Sequence, residues 1–161
     1  MDTARRTPRT LAIAGVVIAL AAGLTGCTNA VGMSAAPSAN AAACAAAQVR
    51  LPATVDSTYD LRNTTAQSTA AWGDPEAALY HCGVAVPTVS DLPCVTLGSV
   101  DWIRDDREKQ IVYTTFGRSP AVQVVVDTSK TGSAVLQDLA TAVSTLPKDG
   151  HKCLDPSDVQ G

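Results

Sequence analysis

Aromatic side chains make up only 4% of this 161-residue chain, with a single phenylalanine, and after residue 9 its lysines and arginines form no cluster. A core this poor in rings is modest, and a ligand cavity of several hundred cubic ångströms would strain it. The missing basic patch argues against nucleic acid as a partner, because binding to phosphates needs a concentrated positive field. Only two histidines are present, His81 and His151, so an imidazole-based acid or base has few places to sit. No G-x-S-x-G elbow, H-E-x-x-H pair or glycine-rich phosphate loop occurs. No catalytic residue is therefore assigned, no cofactor is expected, and the chain is read as a non-enzyme.

No apolar run is long enough to span a bilayer. The apolar run Leu11–Gly26 has 16 residues, whereas a transmembrane helix needs roughly 20. It follows Arg5, Arg6 and Arg9, and a basic start before a short apolar run is the order of a cleavable export signal. The run ends in Leu24-Thr25-Gly26-Cys27, which resembles the lipobox of bacterial lipoprotein precursors. The resemblance implies a signal over residues 1–26 and a mature N-terminus at Cys27 carrying lipid through its thiol. The expected partner is then the membrane, held through acyl chains worth about 0.8 kcal/mol per buried methylene, with the domain on the extracytoplasmic side. Removing residues 1–26 takes away three of 12 basic and one of 15 acidic residues, leaving nine against fourteen, a formal charge of −5.

Residues 28–39 are alanine, serine, glycine and proline without an apolar face, so 27–39 reads as lipidated cysteine plus flexible tether. Folded structure is expected over 40–161 as a single α+β domain. Asn40 is placed to cap an alanine-rich helix that ends at Leu51-Pro52. The stretch 54–61 has room for one weak strand, 71–75 carries a turn signature, and 78–82 reads as a short strand. Residues 99–103, 110–116 and 122–127, separated by turn residues, predict a three-strand antiparallel meander. In its last strand Val122, Val124 and Val126 alternate with a second face. Leu136, Leu139, Val143 and Leu146 fall at helical spacing before Pro147. The fold expected is a small antiparallel sheet, the meander plus one or two further strands, packed by an N-terminal and a C-terminal helix.

With Cys27 lipidated, four cysteines remain, an even number suited to two disulfides in an oxidising compartment. Three connectivities are open. Cys82–Cys94 with Cys44–Cys153 is favoured, one bridge closing a short loop and the other tying the first helix to the tail. A metal site is not expected, because His81 beside Cys82 and His151 near Cys153 lack zinc-ligand spacing.

The segments AAWGDPEAALYHCGV, Cys94, VDWI and YTTFGRSPAVQVVV resemble a family of actinobacterial exported proteins and lipoproteins known as domain of unknown function 3515. The resemblance runs from Cys44 to Leu146, with Trp72-Gly73, Cys82-Gly83 and Val100-Asp101-Trp102 as its most specific pieces. It implies export and paired cysteines and assigns no activity.

Three functions follow as expectations. The first is a non-catalytic envelope module binding a protein or cell-wall component close to the membrane. Its candidate surface is Trp72, Asp74, Asp101 and Arg118, since turns beside rigid strands commonly carry binding groups. Trp102 is expected in the core, and Trp72 either caps the core or offers a flat face. The second is a small hydrolase or transferase acting on cell wall or lipid, which would need His81 and Asp101 within about 10 Å of each other. The third is a carrier of an apolar ligand, which would need a cavity.

Overall fold

The structure is a computed structural model and describes residues 29–154. The export signal and Cys27 lie outside the described residues. Eight strands form one antiparallel sheet, and two helices accompany it. In chain order they are α1 (Ala42–Gln48), β1 (Thr54–Val55), β2 (Tyr59–Arg62), β3 (Thr69–Trp72), β4 (Ala78–Val84), β5 (Cys94–Leu97), β6 (Val100–Asp106), β7 (Gln110–Phe116), β8 (Ala121–Asp127) and α2 (Ala134–Val143). The spatial order β1-β2-β3-β4-β8-β7-β6-β5 makes the sheet two four-strand meanders joined where β4 pairs with β8. The α+β class and the β6-β7-β8 meander hold as expected, but the sheet is larger than five strands. The weak stretch 54–61 is a hairpin, β1–β2, rather than one strand. The stretch before the 71–75 turn is itself a strand, β3, whose four residues are all buried.

Alternation decides which residues enter the core. On one face Tyr80, Cys82, Val122, Val124, Val126, Tyr113 and Trp102 are buried under α1 and α2. Leu136, Leu139 and Val143 supply the α2 side of that contact. Fully burying one such aliphatic side chain contributes about 1.5–3 kcal/mol, and the valine row of β8 and the α2 leucines pack with the larger buried rings of Trp72, Trp102, Tyr80 and Tyr113. α1 starts one residue later than expected: Ala41, not Asn40, is its N-cap, and it has no side-chain cap. The helix is held by burial of Cys44 and Ala47 and by Gln48, whose Nε2 donates to the Thr69 carbonyl at 3.0 Å.

The disulfides pair differently from the favoured scheme: Cys44 with Cys82, and Cys94 with Cys153. Cys82 lies in central β4 and Cys94 in edge β5, four strand spacings apart, about 19 Å at ~4.8 Å per strand. A disulfide needs Cα atoms within roughly 7 Å. The two also point to opposite faces, since Cys94 is level with His81 along the paired row His81–Gln123–Thr114–Ile103–Cys94, one residue out of phase with Cys82. Cys82 therefore meets α1 in the core, and Cys94 meets the tail on the other face.

The tether expectation is corrected too. From Val31 onward the backbone is laid on the domain: Val31 N–H donates to the Asn63 carbonyl at 2.8 Å, Thr65 N–H to Val31, and Ser38 N–H to the Gly83 carbonyl. Gly83, at φ +95°, admits this contact because a Cβ there would strike the Ser38 backbone. Composition hid the docking, which uses main-chain groups rather than apolar side chains.

Candidate functional site

Among the described residues both helices pack against the first face of the sheet, and at the β5-β6-β7 end of the second face two irregular segments build walls. The first is the 85–93 connection, which carries the chain from central β4 to edge β5. The second is the tail 147–154, clamped at several points. Ser119 N–H donates to the Pro147 carbonyl, Asp149 N–H to Gly117, and Cys153 N–H to Asp101 Oδ2 at 2.9 Å. Gly117, at φ +79°, lets the tail lie flat, since a Cβ would run into the His151 carbonyl. The Cys94–Cys153 bridge then pins the tail to the edge strand.

Between these walls lies a cleft of about 630 Å³, lined by Val89, Leu92, Ile103, Phe116, Leu154 and the Cys94–Cys153 bridge among others. That volume falls in the range that holds one small ligand, roughly 300–1,000 Å³. Five large apolar residues are exposed among those described, and three of them, Val89 (85%), Leu92 (45%) and Leu154 (67%), stand around this opening. Exposed aliphatics gathered at one concavity have more to explain than the same residues scattered. A second cleft, of about 200 Å³, adjoins the first and shares Phe116, Gly150, His151 and Lys152 with it. Its other walls are polar: Ser99, Asp101, Arg118 and Lys148.

The predicted surface residues divide between two ends of the sheet. Trp72 is fully buried and its Nε1 donates to the Pro52 carbonyl at 3.1 Å, so it caps the core and offers no face to a partner. Asp74 is exposed and faces Arg62 at 3.3 Å, which Glu76 also approaches at 3.5 Å. Asp101 and Arg118 do come together, on the small cleft. Both oxygens of Asp101 are engaged, Oδ1 by the Thr96 hydroxyl and Oδ2 by Cys153 N–H. Arg118 is 5% exposed, and its Nη1 donates to the Ser144 and Leu146 carbonyls at 3.1 and 2.8 Å, satisfying the C-terminal end of α2. It is a structural cap that also borders the cleft, not a free surface group. The sequence reading missed Val89, Leu92, Phe116, Lys148, Lys152 and Leu154. Their signal was apolar residues in the turn-rich segment 85–93 and lysines in a tail with no assigned element.

His81 and Asp101 do not converge. They lie on β4 and β6, three strand spacings apart, about 14 Å. Burial lowers the His81 pKa, and its Nδ1 has no partner. His151 is better oriented: its Nδ1 lies 2.8 Å from Asp149 Oδ1 and its ring meets Phe116 at a centroid distance of 5.4 Å. The Asp149 carboxyl is held below its usual pKa by the His151 backbone N–H first and the ring second. Among the described residues, no hydroxyl is hydrogen-bonded to that ring and no group of three or more metal-ligating side chains is assembled. All four cysteines in this region are consumed in disulfides. The carboxylates near turns form local ion pairs, Asp105 with Arg107 and Asp106 with Arg104, each at 2.8 Å.

Two disulfides across a one-sided sheet define a disulfide-stapled domain of the kind that folds outside the reducing cytoplasm. Among the described residues, no helix is long and apolar enough to cross a membrane. The chain belongs to the family described as "Protein of unknown function (DUF3515)", whose model matches residues 9–150. Neither a curated protein nor a solved structure matches it.

Proposed function

We propose that this chain is a lipid-anchored extracytoplasmic lipoprotein that works by binding rather than catalysis, with the cleft between the 85–93 connection and the tail as its ligand site. The observation that carries the reading is the gathering of Val89, Leu92 and Leu154 at the mouth of one cleft. The anchor rests on the tetrapeptide ending at Cys27 and the short apolar run before it. Binding rather than chemistry is favoured because His81 and Asp101 are held apart by two intervening strands, and because the Asp149–His151 pair has no nucleophile on its ring.

A photoreactive residue placed at Val89 in the full chain, in its own membrane, tests the binding site. Val49, 80% exposed just past α1, is the matched control. Covalent capture at Val89 and not at Val49 is expected. Equal capture at both, or none at either, removes the cleft as a binding site. A clickable fatty acid should label the wild-type chain and leave Cys27→Ser unlabelled, and label that persists in that variant removes the anchor.

A further inference from the structure

The apolar cleft and its basic neighbour are one continuous feature with opposite chemistry at its two ends. Three of the nine basic residues outside the expected signal, Arg118, Lys148 and Lys152, line the small cleft. Elsewhere in the described domain Arg62, Arg104, Arg107 and Lys130 each face a carboxylate. Among the described residues, neither Arg118 nor Lys148 has a carboxylate within ion-pair distance. Asp101 is the carboxylate on the same wall, and its two oxygens are committed to Thr96 and Cys153. Asp149 stands just outside and is engaged by His151. In a chain with a net negative charge, the residues lining this corner include Arg118 and Lys148 against the single carboxylate of Asp101.

The shared wall of Phe116 and residues 150–152 makes that corner the end wall of the apolar cleft. An anion there gains from charge-assisted hydrogen bonds. A hydrocarbon tail attached to it would cover Val89, Leu92 and Leu154. Resting on the binding reading above, we propose that the occupant is a single-chain anionic amphiphile, with its acyl chain in the apolar cleft and its carboxylate or phosphate against Arg118 and Lys148. The larger cleft, about 630 Å³, is of the size that encloses one small ligand, which favours one chain over two.

The test uses isolated membranes holding the full processed chain, irradiated with a diazirine-bearing palmitic acid or with its methyl ester, followed by peptide mapping. The acid is expected to label the peptides spanning 88–93 or 150–154. It should exceed the ester by about tenfold, the scale of one lost charge-assisted hydrogen bond. The variant Lys148→Glu should lose that preference while keeping its unfolding midpoint, because Lys148 is exposed. Competition by palmitic acid at lower concentration than by a palmitoyl lysophosphatidic acid assigns a carboxylate head, and the reverse order assigns a phosphate. Both outcomes support the shared chemistry. Equal labelling by acid and ester at the cleft overturns the anionic head and leaves the binding reading standing. No labelling at the cleft by either probe, with capture at Val89 retained, overturns the amphiphile and leaves a different ligand. Capture at Val89 of a second copy of this chain overturns it in favour of a dimer interface.

Discussion

Arg118 and His81 are both polar groups that the sheet has drawn out of water, and their fates differ. Arg118 sits at the β7–β8 turn, where its guanidinium reaches two carbonyls at the end of α2. Replacing it with methionine keeps much of the aliphatic bulk and deletes both bonds. Since a hydrogen bond to a charged group contributes about 1.5–3 kcal/mol, a loss on the order of 2–4 kcal/mol is expected, read as a lowered urea midpoint with an unchanged slope. A Lys substitution should recover only part of it, because an ammonium lacks the fork geometry. His81 is half-buried with Nδ1 unpartnered, and burial lowers its pKa from 6.5. The unfolded chain therefore takes up the proton more readily than the folded one. Stability is full above pH 6.5, begins to fall as pH drops through that value, and levels off below the folded-state pKa. Denaturation series at pH 7.5 and 5 should show this decline in the wild type and a smaller one in His81→Gln. An unchanged decline in the variant would move the acid sensitivity elsewhere.

The two bridges differ in what surrounds them. Cys44 and Cys82 are both fully buried between α1 and β4. Cys94 and Cys153 are half-buried, and both line the large cleft. A reductant must reach a sulfur to exchange with it, so titration with a mild thiol should open Cys94–Cys153 first. Alkylation and peptide mapping would identify the pair, and simultaneous opening would contradict the difference in access. Loop-closure entropy puts each bridge at about 4 kcal/mol, and losing Cys44–Cys82 should also leave a core void. At this scale the sequence was readable where one periodicity governed an element. The valines of β8 alternate and the leucines of α2 recur at helical spacing; β8 was found within one residue, and α2, read as far as Leu146, ends at Val143. β3, with sequence Thr-Ala-Ala-Trp, is buried on both faces, so it shows no alternation, and the turn after it drew Trp72 into a loop. β1 has only two residues, too few for any period. The cysteine pairing was hidden for a different reason: it depends on strand order and on which face each cysteine occupies, and neither is local. The cleft was hidden likewise, because its walls come from distant segments joined by the Cys94–Cys153 bridge, whose cysteines lie 59 residues apart.

Across the whole molecule, the docking of Val31 on the β2–β3 connection changes what an anchor at Cys27 would do. Val31 lies four steps along the chain from Cys27, a span of at most about 14 Å at roughly 3.3–3.6 Å per step, in place of the ~40 Å leash that a free 12-residue tether would allow. The attachment point is beside Asn63 on the β2 side of the sheet. The cleft floor on β6 is five strand spacings away, about 24 Å. A short leash at one edge and a binding cleft near the other keeps the Asn63 corner close to the bilayer and leaves the cleft the freedom to swing. Fluorophores at Asn63 and at Asp91, both exposed, should report this in the lipidated full chain, with stronger quenching by spin-labelled lipid at Asn63. Inserting ten Gly/Ser residues after Thr28 should bring the two sites toward equal quenching, since a longer flexible link relaxes as roughly the square root of its length. Stronger quenching at Asp91 in the uninserted chain would mean that the cleft edge itself rests on the lipid, and the short leash would then not set the orientation.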